Sequence, residues 1–125
     1  MPNTKDQLER RKRKRFRVQN DAFVVLISND TKIGPLRDIA MDGLTFHYVG
    51  RQESLSESAE LGVFSANHDL FLYNIPCKIV ADSKIYERHP SPITKRRCDV
   101  QFRDLTPDQV SALRYFIENC AKNKP

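Results

Sequence analysis

The sequence predicts an all-β chain closed by a terminal helix: a small six-stranded antiparallel β-barrel with an α-helix at its C-terminal end. Three observations predict it. Apolar and polar residues alternate with period two in separate runs between Phe16 and Phe102, the pattern of strands with one face on a core. Turn-forming residues punctuate those runs, as at Ser28-Asn29-Asp30 and Asp42-Gly43. After Phe102 the period changes, and Val110, Leu113, Phe116, Ile117 and Cys120 fall on one helical stripe. A set of short half-apolar strands closes on itself as a barrel, and a helix with one apolar stripe lies over it as a lid.

The elements follow in order. Thr4-Lys5-Asp6-Gln7 has the form of a capping box, which predicts a short helix from about Lys5 to Lys14. Its crowded like charges weaken it. Phe16 and Val18 begin the first alternation, and Phe23 to Ile27 is an apolar, β-branched strand. Lys32 to Ile39 reads as the next strand, broken or bulged at Gly34-Pro35. Beyond the tight turn at Asp42-Gly43, Leu44, Phe46 and Tyr48 face one way and Thr45 and His47 the other. Arg51 to Ala59 is a serine-rich polar loop or single helical turn, and Leu61 to Phe64 a short strand. Phe71, Tyr73, Ile75, Cys77, Ile79 and Ala81 then alternate over a long half-buried strand, in which Pro76 implies an edge or a bulge. Glu87 to Pro92 is an exposed loop, and Cys98, Val100 and Phe102 line the last strand. Thr106-Pro107-Asp108-Gln109 starts the helix: Thr106 caps, Pro107 suits the first position, Asp108 favours the positive dipole end and Gln109 completes the box. The helix is expected over 106–122.

At 125 residues the chain is the size of one domain. It divides into a basic arm, residues 1–20, and the barrel with its helix, residues 21–125. Met1 to Arg17 carries eight basic and two acidic residues, a charge of +6, while the remainder is at −1. Such an arm attracts an anion. No apolar run follows it and none is long enough to span a membrane, so cytoplasmic residence without membrane insertion is expected. Three widely spaced cysteines do not form a disulfide framework; Cys77, Cys98 and Cys120 fall on apolar positions and are expected in the core. His47, His68 and His89 lack ligand spacing. There is no glycine-rich phosphate loop, paired-carboxylate motif or nucleophile elbow. No catalysis, metal or cofactor is therefore expected.

Two stretches carry the chemistry. Arg11 and Arg15 are separated by three residues and lead into Phe16-Arg17-Val18; later comes Asp38-Ile39-Ala40-Met41-Asp42-Gly43. Together they resemble the PilZ family, marked by two arginines with three residues between them and then Asp or Asn, any residue, Ser, two residues and Gly. The ending Val100 to Pro107 followed by a helix resembles that family too. The resemblance implies a receptor for the second messenger cyclic di-GMP, with Arg11, Arg15, Asp38, Ala40 and Gly43 at the ligand. Ala40 stands where the family has Ser. Arg10, just before the first motif arginine, implies a stacked pair of ligands. Arg13 and Arg17 repeat the three-residue gap in a shifted register and are further candidates. The motif is placed on Arg11 and Arg15 because Phe16 and Val18 then open the first strand.

The residue types suit such a ligand. A guanidinium fork matches a phosphate or the O6/N7 edge of guanine, and an acceptor-only carboxylate at Asp38 complements the guanine N1–H and amine. Gly43 permits positive φ. Loss of the motif hydroxyl at Ala40 removes one neutral hydrogen bond, about 0.5–1.5 kcal/mol. Ligand binding is expected to order the arm on the barrel, a change read by an unidentified effector protein of the motility, attachment or exopolysaccharide machinery. Two alternatives stand beside this reading. One is a divergent PilZ module that binds proteins and no longer the nucleotide. The other is a small barrel binding RNA or DNA through its arm; it is disfavoured because the sequence offers no clear set of exposed aromatics for base stacking.

Overall fold

The computed structural model describes residues 14–18, 22–28, 30–50, 58–66, 70–86 and 93–122. The helix expected over Lys5 to Lys14 lies outside them except for Lys14, as do the Glu87 to Pro92 loop and residues 51–57. The strands are β1 (Phe16–Val18), β2 (Ala22–Ile27), β3 (Thr31–Ala40), β4 (Gly43–Val49), β5 (Ala59–Ser65), β6 (Leu70–Lys84) and β7 (Lys95–Phe102). The helix α1 (Pro107–Cys120) follows, then the two-residue strand β8 (Ala121–Lys122). The order β2-β5-β6-β7-β4-β3 closes through a β2–β3 pairing into a six-stranded barrel, antiparallel throughout. Closure removes the sheet edges. Strand β3 is long enough to serve two partners on one side: Thr31 to Pro35 pairs with β2, and Asp38 and Ile39 pair with β1.

The alternation places Val24, Leu26, Leu44, Phe46, Leu61, Val63, Cys98 and Val100 inside the barrel, where they join one core. Helix α1 adds Leu113, Phe116, Ile117 and Cys120 to that core, so its apolar stripe packs against the barrel. Its capping box is formed: the Gln109 amide donates to Thr106 Oγ1 at 3.1 Å, and the Thr106 amide to Gln109 Oε1 at 2.9 Å. Gln109 Nε2 also donates to the Asn74 carbonyl, tying the helix start to β6. The helix stops at Cys120 rather than Lys122. Ala121 and Lys122 instead straighten to pair with Val18 and Arg17 of β1, which gives their backbone groups new partners. All three cysteines are buried thiols; burial pushes those of Cys77 and Cys98 up to about 12.

Bulges, which shift side chains from one face to the other, revise the sequence expectations. Strand β3 is not broken at Gly34-Pro35, where pairing with β2 is regular. A methyl group on Gly34 would collide with the His47 carbonyl, so this glycine serves close approach of two backbones. The irregularity comes later: Leu36 pairs with Phe46, but Asp38 pairs with Thr45, leaving Arg37 as the extra residue. Leu36 and Ile39 thus both face the core, and Asp38 faces out.

In β6 the expected alternation slips twice. An extra residue near Asn74, itself at φ 50°, turns Leu72 inward and leaves Phe71 and Tyr73 exposed. Phe71 and Tyr73 stack on each other with ring centres 5.9 Å apart, and Phe23 stacks on Phe64. Phe23, Phe64 and Phe71 are consecutive partners across β2, β5 and β6. The barrel does present an outer aromatic row, contrary to the sequence expectation. It lies on β2, β5 and β6, whereas Asp38, Thr45 and Asp99 lie on β3, β4 and β7, so the aromatic row is not beside that polar cluster.

A second slip pairs Ile79 with Val100 but Ala81 with Asp99, so Val80 is extra and Asp82 turns inward beside Cys98. Its fully buried carboxylate accepts from Arg96 Nε at 2.7 Å and from the Tyr48 hydroxyl. Lys32 Nζ lies 4.8 Å from the Tyr48 ring centre, and its side chain too is buried. Burial, then the hydrogen bond and charge of Asp82, raise the Tyr48 hydroxyl well above its usual range.

Candidate functional site

The site is built on the outer face where β1, β3, β4 and β7 lie side by side. Their register sets one row of neighbours: Arg17 opposite Asp38, Asp38 opposite Thr45, and Thr45 opposite Asp99. The Arg37 bulge is what turns Asp38 into this row. Arg15 precedes β1 and reaches across the row from above it.

The Arg15 Nε lies 3.1 Å from Asp38 Oδ1, an ion-pair distance. Yet that oxygen is buried and, among the described residues, accepts no well-aligned hydrogen bond. The guanidinium neutralises the carboxylate without directing its N–H at this lone pair. Arg15 Nη2 donates instead to Thr45 Oγ1 at 2.9 Å, and Thr45 donates to Asp99 Oδ1 at 2.6 Å. Arg97 Nε closes the chain on the same Asp99 oxygen at 3.3 Å. Thr45 is fully covered, while Arg15 and Arg97 remain substantially exposed. His47, opposite Arg97 on β4, has its pKa lowered by partial burial and then by the positive charges of Arg37 and Arg97. The surface alternates carboxylates with cations and offers exposed guanidinium donors, a setting for a planar polar anion.

Of the residues singled out from the sequence, Arg15 and Asp38 are in contact, and Arg17 is the exposed cross-strand neighbour of Asp38. Arg10, Arg11 and Arg13 lie outside the described residues. Ala40 and Gly43 pair at the end of the β3–β4 hairpin, whose turn is Met41-Asp42 rather than Asp42-Gly43. Ala40 is fully buried but is not part of the core cluster. Gly43 is not in the positive-φ region. Its small size matters for another reason: a methyl group there would strike the Val100 carbonyl, where β4 and β7 run close. Next to it, the Phe102 amide donates to the Asp42 carbonyl at 2.9 Å. Thr45, Asp99 and Arg97 were not singled out as site residues. Their only sequence signal is that they occupy polar positions of alternating strands.

No sequence-family model matches the chain, and no curated protein matches it. Solved structures do. The PilZ domain of YcgR from Escherichia coli, solved with cyclic di-GMP, superposes with a TM-score of 0.69 over 89% of this chain and 91% of that one, at 18% identity. The fold is that of a PilZ domain. MrkH from Klebsiella pneumoniae, solved as a cyclic di-GMP complex, matches the PilZ-like barrel with a TM-score of 0.66 over 86% of this chain and 51% of its own, at 13% identity. The apo form of MrkH matches with a TM-score of 0.61. Among the described residues, no helix of the PilZ-like chain is long and apolar enough to cross a membrane.

Proposed function

We propose that this chain is a receptor for cyclic di-GMP that acts as an adaptor toward a partner protein. The observation that carries the reading is the Asp38–Arg15 pair. A carboxylate oxygen is buried with no hydrogen bond from the described residues, beside an arginine that approaches it only as a charge. An unmet buried acceptor is costly unless a donor arrives. The N1–H and exocyclic amine of guanine are such donors, and the Arg15 fork fits the phosphate or the O6/N7 edge of the same ligand. The fold shared with the YcgR domain solved with this dinucleotide supports the same choice. Arg11, with Arg10, Arg13 and Arg17 as further cations, closes over the ligand from the arm. Ordering of that arm is the signal.

Titration with cyclic di-GMP by calorimetry tests this. Saturable binding is expected, weakened at least about tenfold by Arg15→Ala or by Asp38→Ala, since hydrogen bonds to charged groups contribute about 1.5–3 kcal/mol each. Hydrogen exchange over residues 5–17 is expected to slow on binding. Absence of heat from the wild-type chain at high ligand concentration would overturn the receptor reading. It would favour a divergent PilZ module that binds proteins alone, the reading for which buried, hydroxyl-free Ala40 speaks.

A further inference from the structure

Two groups hold the Arg15 guanidinium, and the arginine–aspartate–glycine motif accounts for only one of them. Asp38 faces Nε, while Thr45 on β4 faces Nη2. Thr45 is covered almost completely, so its hydroxyl has little access to water and takes its partners from the protein. A hydroxyl has one hydrogen to give and two lone pairs to offer. Asp99 is an acceptor-only carboxylate at 2.6 Å, so it takes that hydrogen. The Thr45 oxygen is then bound to present a lone pair toward Arg15, where it accepts from Nη2. Asp99 is itself steadied by Arg97 Nε on the same oxygen. A guanidinium held by the hydrogen bond from Nη2 to Thr45 and by the charge of Asp38 beside Nε has its orientation restricted before any ligand arrives, and Thr45 supplies the directional contact.

We propose that Thr45 and Asp99 are positioning residues for nucleotide binding: Asp99 sets the polarity of the Thr45 hydroxyl, and Thr45 sets the plane in which Arg15 meets the ligand. The proposal rests on the cyclic di-GMP reading of the site. It extends that reading to two strands outside the motif. Arg15 is half exposed and long, and such a side chain loses rotamer freedom when a ligand captures it. Fixing it beforehand saves an entropy that corresponds to about three- to tenfold in Kd.

The test has two readouts. In calorimetry with cyclic di-GMP, Thr45→Val and Asp99→Ala are each expected to weaken binding about three- to tenfold. The double variant is expected to be no weaker than either single one, because both remove the same restraint. Thr45→Ser, which keeps the hydroxyl, is expected to bind as the wild type does. In the ligand-free chain, the Arg15 Nε–H resonance is expected to shift and broaden in Thr45→Val and Asp99→Ala but not in Thr45→Ser. A purely packing role for Thr45 would leave that resonance and the affinity of the isosteric Thr45→Val unchanged, and either result overturns the proposal. If the wild type itself fails to bind the dinucleotide, the receptor reading falls. The hold on Arg15 is then decided by the resonance alone.

Discussion

Replacing Asp82 with Ala puts the inward-facing ion pair to the test. The Asp82 side chain is fully buried and Arg96 is 9% exposed, with the two joined at 2.7 Å. The Tyr48 hydroxyl donates to the other carboxylate oxygen. Removing the carboxylate leaves a guanidinium inside the barrel wall with no counter-charge, which costs about 3–5 kcal/mol. The orphaned Tyr48 hydroxyl costs about 1–3 kcal/mol on its own, but both penalties arise from one carboxylate and overlap, so about 4 kcal/mol is expected. A domain of this size is stable by about 5–15 kcal/mol, so the variant retains only a fraction of its margin. With a urea slope of about 1.5 kcal/mol per molar, the unfolding midpoint should fall by roughly 2–3 M. The double variant Asp82→Leu with Arg96→Met, which removes both charges, should recover most of the loss. A drop below about 1 kcal/mol for Asp82→Ala, or a double variant as unstable as the single one, would refute the view that this pair is desolvated.

Two further outcomes are expected. Gly34→Ala forces a methyl group into the His47 carbonyl and should destabilise the chain by about 3 kcal/mol, read by thermal unfolding; the overlap is with backbone and cannot be relieved by a rotamer change. His47 should titrate below 6.5 by NMR, because burial and the charges of Arg37 and Arg97 disfavour its cation. The unfolded chain therefore binds more protons as pH falls through that range, so the neutral-His47 contribution to stability is complete above pH 6.5 and lost below it.

The barrel was legible because its cause is written along the chain: period-two runs need one buried face, and the helix stripe with its Thr106–Gln109 box declares itself. The slips between runs were not. Arg37 and Val80 are ordinary strand residues, and nothing in their chemistry marks them as extra. Asn74 alone carried a cue, since asparagine tolerates the left-handed region, and it was passed over within an alternation that ran on through it. The outward turn of Phe71 and Tyr73 follows from that single slip.

At the candidate site, Arg15 and Asp38 are the residues to which the resemblance to the PilZ motif points, each half of that motif being local in sequence. Thr45 and Asp99 depend on pairing between residues 54 positions apart, and such register is fixed only when the barrel closes. Gly43 was singled out for a backbone conformation it does not adopt. A glycine admitted for space and one admitted for φ look alike in a sequence.

The two extra residues have a consequence for how this chain tolerates change. Deleting Arg37 would leave every face as it is, with Leu36 inward opposite Phe46, Asp38 outward opposite Thr45 and Ile39 inward opposite Leu44, now in a regular ladder. Deleting Val80 would likewise keep Ile79 opposite Val100, Ala81 opposite Asp99 and Asp82 inward opposite Cys98. Neither the identity nor the presence of the extra residue is closely constrained, because the pairs on either side of it are the same without it. Homologous chains should vary in letter at these two places and tolerate loss of the residue there, whereas a one-residue deletion within the regular pairing would turn polar side chains onto the core face.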